Sequence, residues 1–131
     1  MPKLPEGTLV VVTDGVKARF FRNLEGGGGP QLRQEAMLDA HDMYLQGPSG
    51  VAPPEQTGEQ TDEASFAKHV VRRINHGALT NEYADLVLVA DPQTLGQMRP
   101  QLHKETLARL RGEIAKTLTN SPVEDIATAI G

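Results

Sequence analysis

Residues 8–21 read TLVVVTDGVKARFF, and the first six of them decide the architecture. The run from Thr8 to Thr13 is continuously β-branched or apolar, the pattern of a strand covered on both faces, so it predicts a central strand. Asp14-Gly15 supplies turn chemistry, and Lys17 to Arg22 predicts a second strand that closes a hairpin on the first. The four glycines Gly26 to Gly29 predict a further turn. A third strand follows over Gln31 to Leu38, with Leu32, Ala36 and Leu38 on one face by the two-residue period. The glycine run lacks the Lys-Ser/Thr of a phosphate-binding P-loop and reads as a hairpin loop.

Downstream, a polar segment from Asp39 to Thr61 is longer than an ordinary connector, which predicts a functional or flexible loop. It runs into TGEQTDEASFAKHVVRRI, residues 57–74. There Phe66, Ala67, Val70, Val71 and Ile74 form one stripe of an amphipathic helix, and Lys68, His69, Arg72, Arg73 and His76 form the opposite face. Asp62 and Glu63 suit the positive end of the helix dipole, and Gly77 is placed to end the helix. Leu86 to Ala90 predicts a buried fourth strand. Asp91-Pro92 caps a short helix containing Leu95 and Met98. Pro100 breaks it, and Leu102, Thr106, Leu107 and Leu110 predict another. A fifth strand is expected over Glu113 to Thr119, and Ser121-Pro122-Val123-Glu124 opens a last helix with the form of a capping box.

Hairpins make the first three strands an antiparallel meander, and right-handed crossovers set the fourth and fifth parallel to the first. The expectation is one α/β domain over residues 1–131, a mixed five-stranded sheet of order 3-2-1-4-5 with helices on its faces. This arrangement resembles the ribonuclease-H-like folds.

Composition narrows the function classes. With 131 residues, 38% of them hydrophobic, the chain can build a single core. It has no cysteine, which excludes a disulfide framework, a thiolate metal site and a thiol nucleophile. There is no Trp, and there are only three Phe and two Tyr, so base stacking is scarce. The apolar run Leu9 to Val12 is too short for a signal peptide or a bilayer span, and the expectation is a soluble cytoplasmic protein. Net charge is -4, but it is unevenly spread. Residues Glu25 to Ser65 carry eight acids and the single base Arg33, whereas Phe66 to His76 holds Lys68, Arg72 and Arg73 without an acid. Such asymmetry can favour a phosphate-bearing partner locally.

Four ordered segments, TLVVVTDGVKARFF, DEASFAKHV, DLVLVADPQTLGQMR and KTLTNSPVEDI, resemble the bacterial family described as proteins required for attachment to host cells. That family is in turn similar to the middle domain of archaeo-eukaryotic class-1 peptide release factors. There a Gly-Gly-Gln loop precedes a basic amphipathic helix, and the glutamine assists peptidyl-tRNA hydrolysis. The matching residues are Gly58-Glu59-Gln60, so the resemblance implies Gln60 as the candidate catalytic residue. It also implies binding roles for Gly58, Gln60, Lys68, Arg72 and Arg73, and for Lys116 and Thr119 of the KTLTNSP segment. Glu59 departs from the pattern, removing the conformational freedom of glycine and adding an anion.

Three functions follow. The leading one is a non-enzymatic binding or regulatory module associated with RNA of the ribosome or tRNA, docked through the basic helix face. A protein-interaction module using the acidic loop 39–61 is the second. The third is a metal-dependent phosphoesterase, in which Asp14, Glu63 and Asp91 meet at one sheet edge and hold Mg²⁺, a hard cation that prefers oxygen ligands. Each acid also has a local role, as turn, dipole partner or cap. No other cofactor is implied, and the four histidines His41, His69, His76 and His103 show no metal-ligand spacing.

Overall fold

The structure, a computed structural model, describes residues 4–24, 31–40 and 59–130, with the backbone alone for 59–64. Five strands form one sheet: β1 (Leu9–Thr13), β2 (Lys17–Asn23), β3 (Leu32–Asp39), β4 (Leu86–Ala90) and β5 (Leu110–Ala115). Their order is β3-β2-β1-β4-β5, with β1–β2 and β2–β3 antiparallel and β1–β4 and β4–β5 parallel. This is the expected α/β mixed sheet. Every residue of β1 and of β4 is buried, because helices cover both faces.

Helix α1 (Glu59–Leu79), α2 (Pro92–Met98) with the 3-10 turn Arg99–Gln101, and α3 (Lys104–Arg109) lie on one face. Phe66, Ala67, Val70, Val71, Ile74 and Ala78 of α1 pack there on Leu9, Val11, Phe20, Leu86 and Leu88. On the other face, Ile126 and Ile130 of α4 (Val123–Ile130) pack on Val10, Val12, Phe21, Val87 and Val89. No helix among the described residues is long and apolar enough to cross a membrane.

Three boundaries differ from the sequence reading, each for a local reason. Helix α1 begins at Glu59, not Asp62, and β3 runs to Asp39, so the connection expected over 39–61 shortens at both ends. Residues 41–58 of it lie outside the described residues. Nor does α1 stop at Gly77, which is buried within it. It closes in a Schellman arrangement around Asn81 at φ 63°, with the Glu82 N–H donating to the Gly77 carbonyl at 2.8 Å and the Asn81 N–H to Ala78 at 3.3 Å. Finally, β5 spans Leu110–Ala115 rather than Glu113–Thr119. A bulge between Leu86 and Val87, against Leu110 and Gly112, flips the register. Leu110 therefore packs on the α1 face and Ile114 on the α4 face, although they are four residues apart and would share a face in a regular strand.

Candidate functional site

The outer face of α1 is the first candidate surface. Its apolar stripe is sunk in the core, which turns Lys68, His69, Arg72, Arg73 and His76 outward, all exposed. Lys68 and Arg72, four residues apart, are neighbours on the helix surface. Among the described residues the ion pairs engage Arg22, Arg33, Arg99, Arg109 and Arg111 and none of the α1 cations. Arg73 is anchored differently, with its guanidinium 4.6 Å from the centre of the Phe20 ring. That leaves Lys68 and Arg72 as cations with no intramolecular partner among the described residues. Asn75 faces inward and ties α1 to α3. Its Oδ1 accepts from the His103 N–H at 3.0 Å and the Thr106 hydroxyl at 2.7 Å, and its Nδ2 donates to the Gln101 carbonyl at 3.1 Å.

The end of α1 is fixed by Tyr83, whose hydroxyl donates to the Ile74 carbonyl at 2.7 Å just before β4 begins. The helix thus runs antiparallel to β4, and its first turn lies toward the carboxyl ends of β1 and β4. Twenty-one residues make a helix of roughly 30 Å, against about 17 Å for a five-residue strand. The first turns of α1 accordingly project past the sheet edge. Gln60 sits in the first turn and Glu63 at the start of the second, while Gly58 lies outside the described residues.

At that same edge Asp14 and Asp91 line one cavity of about 330 Å³, as the parallel pairing of β1 with β4 requires. Both carboxylates have local duties. Asp14 Oδ1 accepts from the Val16 and Lys17 N–H groups at 2.9 and 2.8 Å, building the hairpin turn, and its Oδ2 accepts from the Thr119 hydroxyl at 2.6 Å. Asp91 caps α2, with Oδ2 accepting from the Thr94 N–H at 3.1 Å. Its Oδ1 is buried without a hydrogen-bond partner among the described residues. No group of three or more potential metal ligands occurs among the described residues.

Thr119 is buried, and the segment around it acts as a brace. The Arg19 guanidinium donates to the carbonyls of Thr119 and Ser121 at 3.1 and 2.8 Å and lies 4.9 Å from the Phe21 ring centre. Lys17 Nζ donates to Asn120 Oδ1 at 3.4 Å. Lys116 is exposed outside this brace, so the structure does not bring Lys116 and Thr119 together with the α1 cations. His69 and His76 are on the exposed α1 face, and His103 Nδ1 accepts from the Glu105 N–H at 3.0 Å to cap α3. His41 lies outside the described residues. Sequence reasoning missed Arg19 and Thr94. The only signal for Thr94 was its place three residues after the helix-capping Asp91.

A family model described as bacterial archaeo-eukaryotic release factor family 12 matches residues 7–130 of the chain. It carries the release-factor half of the resemblance seen in the four sequence segments. No curated protein matches the chain.

Proposed function

The chain belongs to bacterial archaeo-eukaryotic release factor family 12, and on that premise we propose that it is a cytoplasmic binding or regulatory module that docks ribosomal or transfer RNA through the outer face of α1. One observation carries the reading. Lys68 and Arg72 stand exposed and without an ion-pair partner among the described residues, on a helix whose other side is locked into the core. Phosphate docking needs cations held on a rigid support and needs no aromatic platform, which suits a chain with so few aromatic residues. Gln60 belongs to the first turn of the same helix. Glu59 stands where the release-factor pattern has glycine, at the first position of α1, so that position lacks the pattern's backbone freedom and carries an anion. The function assigned here is therefore binding, not peptidyl-tRNA hydrolysis.

The test is a fluorescence-anisotropy titration of labelled tRNA and ribosomal RNA fragments across a salt series. The unaltered chain should bind with an affinity that falls as salt rises. The Lys68→Gln/Arg72→Gln double variant should bind more weakly and lower the slope of log affinity on log salt by about one for each phosphate contact removed. These positions are preferred to Arg73, whose loss would also uncover Phe20. An absence of RNA affinity at low salt, or a slope that the double variant leaves unchanged, refutes the reading.

A further inference from the structure

The exposed cations of α1 are not spread evenly around its outer face, and from their bias we infer that the RNA surface continues across the seam between α1 and α3, with Lys104 as a further phosphate contact. Lys68 and Arg72 come seven and three residues before Asn75, spacings of two turns and one turn that put all three on one side of the helix. Asn75 faces α3. Its Oδ1 accepts from the His103 N–H at 3.0 Å, and the next residue, Lys104, is the first of α3. Arg73 leans the other way, onto Phe20 of β2. The α1 cations that lack an ion-pair partner among the described residues are therefore those on the α3 side.

Lys104 is exposed, and among the described residues no ion pair engages it. The arginines around it are committed: Arg99 pairs with Glu113 at 2.7 Å, Arg109 with Glu105 at 3.1 Å and Arg111 with Asp85 at 2.9 Å. The Arg109 pair also occupies Glu105, the one acid of α3, and residues 65–81 contain no acid. Nor does the helix itself call for a lysine at its first position, where the dipole favours an acid. A phosphate from a partner offsets that local cost, since lysine meets phosphate as a point charge. Lys68 precedes Asn75 by roughly 10 Å of helix, and packed helix axes lie about 8–10 Å apart. A patch of that width fits successive phosphates of a nucleic-acid backbone and exceeds what one small anion can reach.

This inference rests on the RNA-docking reading of α1. Labelled tRNA is titrated by fluorescence anisotropy across a salt series with the full chain and with Lys104→Gln, Lys104→Glu and Arg33→Gln. Arg33 is an exposed cation on β3, at the opposite edge of the sheet from β5, and controls for net charge. Lys104→Gln should lower the slope of log affinity on log salt by about one. Lys104→Glu should weaken binding further while its denaturation midpoint holds or rises, because an acid suits that helix position. Arg33→Gln should leave the slope as it is. If Lys104→Gln keeps the full slope while Lys68→Gln/Arg72→Gln lowers it, the inference is overturned and the α1 reading stands. Equal losses of slope in Lys104→Gln and Arg33→Gln would show a response to overall charge and would overturn it too. A chain without RNA affinity at low salt refutes the α1 reading itself, and this inference with it.

Discussion

At Gly77 the sequence signal and the physical cause part company. A glycine near the end of an amphipathic stripe suggests a helix stop, yet Gly77 stays helical because the Tyr83 ring lies against it. A Cβ there would come within 2.8 Å of Tyr83 Cε2, and the ring cannot retreat cheaply, since its hydroxyl is tied to the Ile74 carbonyl. Gly77→Ala gains about 1 kcal/mol of helix propensity but incurs overpacking of about 1–3 kcal/mol. Denaturant titration should therefore show a net loss of up to about 2 kcal/mol. With Tyr83→Leu as background the same substitution should turn stabilising, and equal effects in both backgrounds would disprove the contact. Tyr83 carries a second consequence. Burial raises the pKa of its hydroxyl above the ordinary 10.0, against lowering by a Thr106 hydrogen bond and the Arg109 charge, with Glu82 adding to the rise. A group whose folded pKa exceeds its unfolded value contributes stability that is complete below the unfolded value and is lost as pH climbs through the folded one. Folding stability should thus fall more steeply above about pH 10 in the unaltered chain than in Tyr83→Phe, as read from denaturation midpoints at stepped pH. Parallel pH curves would contradict this.

Elements were legible wherever one periodicity governed a whole segment. β1 and β4 announce themselves as apolar runs because both of their faces are covered, and the α1 stripe from Phe66 to Ile74 follows directly from spacing. β5 was displaced because its register changes partway. The sequence around Leu102, Thr106, Leu107 and Leu110 has helical spacing, but Leu107 is half exposed and Leu110 already belongs to the strand. A bulge is set by the neighbouring strand, so nothing within residues 110–115 alone reveals it. The site divides in the same way. That Asp14 and Asp91 meet at one edge followed from parallel pairing of β1 with β4. The hydrogen bond from Thr119 to Asp14 joins residues 105 apart and depends on where the chain returns after β5. It makes the segment around Thr119 a brace for the hairpin.

Across the whole molecule, the sheet separates two jobs. On one face α1, α2 and α3 bury their stripes and expose the Lys68 and Arg72 surface, while on the other α4 alone among the described helices closes the core. Ile126 and Ile130 are at most 1% exposed there, packed with Val10, Val12, Phe21, Val87 and Val89. A large-to-small change at such a site costs about 2–5 kcal/mol, a sizeable share of the 5–15 kcal/mol typical of a domain. The α4 face touches none of the cations assigned to RNA, and salt-dependent affinity depends on phosphate contacts alone. Ile126→Ala should accordingly lower the folding free energy read from denaturant titration by that amount, while its folded fraction keeps the RNA affinity and salt slope of the unaltered chain. Lys68→Gln/Arg72→Gln should do the reverse, holding stability within about 0.5 kcal/mol as exposed substitutions do and changing the slope. If Ile126→Ala flattened the salt slope at unchanged stability, the α4 side would carry the RNA contacts and the division of labour across the sheet would be wrong.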